Sequence, residues 1–219
     1  MDNAVQSEKY LKAGINIAMY TILPMLAFMA WVIGMPLFLY GGVITSVEDA
    51  QGPFQTLFIF SLPMLLFFGI VPVLLQLKKK TSVIDLGLCF QYNWQSIVTL
   101  VINILFALTI FTKLVLVIES LSEAVPVIFQ LCAIGVSEEI LCRCVIYHEI
   151  EHAFHNKAAT IFISAVIFAF LFHSGDGDLT NLLVRLPLGL IFAAVRCYTG
   201  NIYNSIVMHI WYNSLMFIL

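Results

Sequence analysis

The chain has 219 residues, of which 61% are hydrophobic and 11% charged, with a formal net charge of −3. A soluble domain carries about a quarter charged residues, so this composition, with a mean hydropathy of +0.99, excludes an ordinary soluble enzyme. The slightly acidic balance gives no basis for nucleic-acid binding.

Apolar runs that approach the roughly 30 Å of a bilayer's hydrocarbon core occur at about 15–40, 54–77, 96–118, 124–147, 158–173, 179–197 and 202–219. They predict an all-α, polytopic membrane protein of about seven helices, forming a single membrane domain over 1–219. The first run is too long for a cleavable signal peptide and no A-x-A-like site follows it. Cys89, Cys132, Cys142, Cys144 and Cys197 lie in or beside apolar runs and form no CxxC pair, so they are expected to be reduced and buried. With a cytoplasmic N-terminus and seven alternating spans, the inner side receives Lys9, Lys12, Lys78, Lys79, Lys80, Arg143, Lys157 and Arg196. The outer side receives only Lys113 and Arg185, with the acidic loops "SVEDAQG" and "SGDGD". That asymmetry fits the positive-inside rule.

The fourth run, "AVPVIFQLCAIGVSEEILCRCVIY", holds two glutamates and an arginine. Carboxylates inside a membrane helix cost a few kcal/mol, so they pair, line a cavity or perform chemistry. Glu139 and Arg143 stand at i and i+4, on one face, and are expected to pair. Glu138 is rotated about 100° away and meets Cys142 at i+4, which leaves its carboxylate facing another element. Gly135, three residues before it, would allow a second backbone to approach closely.

The fifth run ends at His173, in "IFAFLFHSG". Counted from the inner surface, His173 falls at the outer end of its run, so it meets Glu138 only if this short helix stops within the membrane beside a cavity. The alternative is an interfacial histidine near Asp176, with Asp178 capping the sixth helix. In the last run, "YTGNIYNSIVMHIWYN", Gly200 reads as a helix stop and Asn201 as a helix cap. His209 and Asn213 follow at i and i+4, at a depth that matches Glu138.

Between the fourth and fifth runs, "HEIEHAFH" spells HExxH with His148, Glu149 and His152. That spacing places two histidines on one helical face to bind zinc, with the glutamate activating a water. Here the motif lies on a polar stretch where the apolar run ends, and an amphipathic turn at the inner surface accounts for it without metal.

EExxxR in one apolar helix, a histidine ending the next, and the closing "TG…HxxxN" run together resemble the CPBP family, the CAAX-protease and bacteriocin-processing (Abi) intramembrane endopeptidases. The resemblance covers about 124–219, which it implies is the catalytic core. It implies Glu138 as general base, His173 as the histidine that positions water, and His209 with Asn213 as the pair stabilising the oxyanion. Glu139 and Arg143 match a supporting ion pair, and the implied mechanism needs neither metal nor cofactor. One position departs from the pattern. The second motif is usually FxxxH, yet Ala169 stands four residues before His173, flanked by Phe168 and Phe170.

The expected function is hydrolysis of a membrane-tethered peptide or protein near the inner leaflet, in a bacterial plasma membrane. Three other readings compete. An inactive membrane adaptor, such as an immunity protein or regulator of a sensor kinase, is favoured by the altered FxxxH. A site-2-type zinc protease would use His148, Glu149 and His152. A proton-coupled transporter would call for two inverted halves, and the sequence shows no internal repeat.

Overall fold

A computed structural model describes residues 3–44, 46–47, 49–118, 121–173, 175 and 177–219, with the backbone alone for 3, 4 and 121–123. Glu48 and Asp176, named above in the acidic loops, lie outside the described residues. The described residues form seven helices: α1 (Asn3–Tyr40), α2 (Pro53–Lys78), α3 (Trp94–Val117), α4 (121–154), α5 (Lys157–Phe172), α6 (Asp178–Thr199) and α7 (Tyr203–Ile218). There is no strand among the described residues. Five helices, α1 to α4 and α6, are long and apolar enough to cross a membrane, while α5 and α7 are shorter. The protein is therefore a helical, polytopic membrane protein. Its five cysteines are free thiols.

Capping chemistry sets several helix ends. Asn93 accepts from the Ser96 N–H at 2.7 Å to open α3, and Asn156 accepts from the Ala159 N–H at 3.1 Å to open α5. Gly200 closes α6 in the left-handed conformation at φ 74°, where a Cβ is disfavoured. Asp178 is the first residue of α6 rather than its cap, which is Gly177.

α4 departs most from the sequence expectation. It does not stop near residue 147 but continues through Phe154, where His155 ends it at φ 49°. The polar stretch is thus a further helical segment, with Tyr147, Ile150 and Ala153 buried on one side. Glu149 is held on another side by groups from α1 and from the end of α2. It accepts from Asn16 of α1 at 2.8 Å and from Gln76 of α2 at 2.7 Å, and lies 3.7 Å from Lys79 Nζ. Tyr10 of α1 stacks on Phe154 at 4.8 Å. Thus the start of α1 and the ends of α2 and α4 meet at one end of the bundle.

The same end is closed by the segment between α2 and α3. Arg196 of α6 donates from Nε to the Arg143 carbonyl at 3.2 Å and from Nη2 to the Asp85 carbonyl at 3.1 Å. Gly87, at φ 70°, leaves room for that guanidinium; a Cβ there would stand 2.4 Å from Arg196 Cζ. Asn201 and Asn204 both donate to Ser96 Oγ, at 2.7 and 3.1 Å, which fastens the start of α7 to the start of α3.

Candidate active site

The carboxylates of α4 separate as the helix geometry requires. Glu139 is fully buried, and its Oε2 lies 3.6 Å from Nε of Arg143, also fully buried. Arg143 donates from Nη1 to Ser164 Oγ at 2.6 Å and to the Ser164 carbonyl at 3.2 Å, and its Cζ stands 5.0 Å from the centre of the Phe168 ring. A charge so far from water persists only when such partners surround it. From Ile140 to Ile146 the helix widens into π turns, the kind of local irregularity often found at functional sites.

Glu138 points elsewhere. Its Oε2 lies 3.5 Å from His173 Nε2 and 3.8 Å from His209 Nε2, with the glutamate side chain 15% exposed. These are electrostatic contacts rather than good hydrogen bonds, and Oε2 has no hydrogen-bond partner among the described residues.

His209 reaches both glutamates because α7 comes close to α4 at Gly135. A Cβ on Gly135 would stand 2.8 Å from Ile210 Cγ1 and 3.3 Å from the Ile210 backbone nitrogen, so any larger residue would push α7 away. His209 is 2% exposed, and its Nδ1 lies 3.1 Å from Glu139 Oε1. A carboxylate paired with Arg143 can only accept, so Nδ1 carries the proton in this contact. Phe192 stacks on the imidazole at 4.8 Å and 23°, and Phe168 meets it edge-on at 5.8 Å.

His173 arrives from the far end of α5, and the depth difficulty disappears once α4 is seen to run to Phe154. The short turn at 155–156 makes the two helices antiparallel, so His173 and Glu138 lie equally far along them from that turn. A further device sets the ring. Residues Phe168–Phe172 form a π turn, which inserts one residue into the helical register. Phe168, five residues before His173, therefore sits against its imidazole at 4.8 Å and 70°. Ala169 is buried without a ring to offer, and Phe170 is 39% exposed. Asn181 of α6 donates from Nδ2 to the His173 carbonyl at 2.9 Å, beyond the end of α5.

Asn213 is half-buried one turn beyond His209 and makes no hydrogen bond among the described residues. Phe168, Phe192, Ser164 and Asn181 were not singled out by the sequence reading as site residues. Ser164 and Asn181, polar residues in apolar runs, carried a local signal, as did Phe168 beside the altered FxxxH position. Glu138 forms part of the wall of a cavity of about 160 Å³, otherwise lined by Met25, Phe28 and Met29 of α1, Met64 and Phe68 of α2, Leu141 of α4 and Phe172 of α5.

The HExxH residues stand apart from this cluster. The His148 and His152 rings are 6.2 Å apart, His155 Nε2 lies 2.7 Å from Lys9 Nζ, and Glu149 is engaged by Asn16, Gln76 and Lys79 as described. No group of three or more His, Cys, Asp or Glu side chains among the described residues is arranged to hold a metal ion.

Residues 120–215 match the family described as type II CAAX prenyl endopeptidase Rce1-like, a branch of the CPBP family. The matched segment contains Glu138, Glu139, Arg143, His173, His209 and Asn213, and it leaves out α1, α2 and α3. No curated protein and no solved structure matches the chain.

Proposed function

From the match of residues 120–215 to the Rce1-like CAAX prenyl endopeptidase family, we propose that the chain is an intramembrane endopeptidase in which Glu138 activates water. One observation carries the reading: a carboxylate oxygen flanked by two imidazole nitrogens, at 3.5 and 3.8 Å, on the wall of an otherwise apolar cavity. A water held beside Oε2 by the two imidazoles would give its proton to Glu138 and attack the carbonyl carbon of the substrate. His173 positions that water from the other side of Oε2. Because Glu139 holds the Nδ1 proton of His209, a second proton on Nε2 makes the imidazole a cationic donor toward the tetrahedral oxyanion. Asn213, free of other hydrogen bonds among the described residues, supplies the second donor from one turn along α7. Protonated Glu138 then returns its proton to the leaving amine.

In this reading Glu139 and Arg143 hold His209 in orientation, and the basic end of the bundle, with the N-terminus, faces the cytoplasm. The substrate is a membrane-tethered peptide cleaved near that leaflet, and a bacterial plasma membrane remains the expected location. The adaptor reading rested on the missing FxxxH phenylalanine; Phe168 fills that place against His173, which favours the enzyme.

The test is cleavage of a membrane-tethered peptide library by purified wild type, Glu138→Gln and His148→Ala, with and without a zinc chelator. Glu138→Gln should lose cleavage by about 10²-fold or more, with the other conditions near wild type. Activity that survives Glu138→Gln but disappears with His148→Ala or chelation would move the site to HExxH. Intact protein that cleaves nothing would favour the adaptor.

A further inference from the structure

The cavity beside Glu138 is built mostly by helices that lie outside the matched segment. Met25, Phe28 and Met29 come from α1, and Met64 and Phe68 from α2. Phe68 is nearly buried, whereas Met29 is 53% exposed and so stands at a rim facing the membrane side of α1. A cavity of about 160 Å³ compares with the roughly 150 Å³ apolar cavity that takes one benzene molecule. That is room for one leucine, methionine or phenylalanine side chain, and too little for a fatty-acyl or isoprenoid tail.

We propose that this cavity is the pocket for a single large apolar side chain of the substrate next to the scissile bond, and that α1 and α2 thereby set sequence specificity. The proposal rests on the reading of Glu138 as the base, since that carboxylate ties the pocket to the reacting bond. Its chemistry follows from the lining. Methionine side chains are flexible and polarisable, so the pocket accepts leucine, methionine and phenylalanine with little discrimination. A substrate already in lipid gains little hydrophobic free energy on entering, so fit to the cavity volume, rather than transfer from water, decides between side chains. Tryptophan is too large, and aspartate or glutamate would be repelled by Glu138.

Two measurements test this. In the first, wild type and the enlarged variants Met25→Ala, Met64→Ala and their double mutant cleave a membrane-spanning peptide series. Each peptide carries Ala, Leu, Phe, Trp or Asp at one position beside the cut. The tryptophan-to-leucine ratio of kcat/KM should rise by roughly 10-fold or more in the double variant. Because the ratio is internal to each preparation, partial unfolding does not imitate it. A ratio unchanged within about twofold, in variants that still cleave, overturns the pocket. The second measurement does not depend on catalysis. Glu138→Gln protein is irradiated with the same peptides carrying one diazirine-leucine at successive positions. Crosslinks to α1 and α2 near Met25 and Met64 from a single peptide position support the pocket; crosslinks absent there, or spread evenly over positions, overturn it. If wild type cleaves nothing while the single-position crosslinks appear, the hydrolase reading fails and the pocket stands.

Discussion

At the scale of single residues, the two adjacent glutamates have opposite requirements. Glu139 is fully buried between Arg143 and His209, so its partners matter to stability as well as to chemistry. Replacing His209 with alanine removes one donor from a buried carboxylate and the ring on which Phe192 stacks. A hydrogen bond to a charged group is worth about 2 kcal/mol, so His209→Ala should lower the thermal midpoint and abolish cleavage together. Glu138 Oε2 has no hydrogen bond among the described residues to lose, so Glu138→Gln should keep the wild-type midpoint within a degree or two while cleavage disappears. Thermal unfolding in detergent beside the peptide assay separates the two. A stable His209→Ala and an unstable Glu138→Gln would reverse the assignment.

At the scale of helices, the close approach of α7 and the π turn of α5 each yield a prediction. A methyl group at Gly135 would meet the Ile210 side chain and backbone; the backbone cannot give way without shifting α7. Gly135→Ala should therefore lower kcat by roughly 10-fold, less than the roughly 10²-fold of a 1 Å displacement at an active site, while the protein still inserts and folds. Unchanged kcat would mean that α7 tolerates the shift. The π turn at Phe168–Phe172 holds one residue more than an α-turn. Deleting Phe170, which is partly exposed, should restore an ordinary α-helix and give Phe168-x-x-x-His173. The variant should keep stability and activity within about threefold, because the helix on either side keeps its phase. Phe168→Ala, by contrast, removes a buried ring from Arg143, His173 and His209 at once and should cost about 3–5 kcal/mol. A deletion that unfolds the protein would show that the π turn is needed for more than the placement of Phe168. These elements also mark how far the sequence could be read. The approximate positions of the seven helices among the described residues, the Glu139–Arg143 pairing and the close approach at Gly135 follow from apolar run length, the i, i+4 rule and small-residue packing. The π turns are invisible to such rules, because no residue type marks where an inserted residue will be absorbed. The end of α4 was misplaced for another reason. Polar residues at a membrane boundary look solvated when their partners lie more than 70 residues away, as Asn16 and Gln76 do from Glu149.

At the scale of the whole molecule, those distant partners tie the matched segment to the helices that precede it. Glu149 is the point where α1, α2 and α4 are fastened at the basic end of the bundle, and the proposed specificity pocket lies further along the same three helices. Loss of the Glu149 carboxylate would leave the Gln76 amide, itself 1% exposed, with a buried donor unsatisfied. Such a loss costs about 1–3 kcal/mol. Glu149→Ala should then loosen α1 and α2 from α4, seen as a lower thermal midpoint and faster proteolysis near Lys9 and Lys12. Cleavage by such a protein should lose selectivity before it loses rate, because the pocket walls move while Glu138, His173 and His209 stay on their own helices. Glu149→Gln keeps an acceptor oxygen for Asn16 or Gln76 and should stay close to wild type in both stability and kcat. In a zinc protease that same substitution removes the base and abolishes turnover. An active Glu149→Gln beside a destabilised Glu149→Ala would make HExxH a structural fastening, whereas a stable but inactive Glu149→Gln would restore it as the catalytic centre.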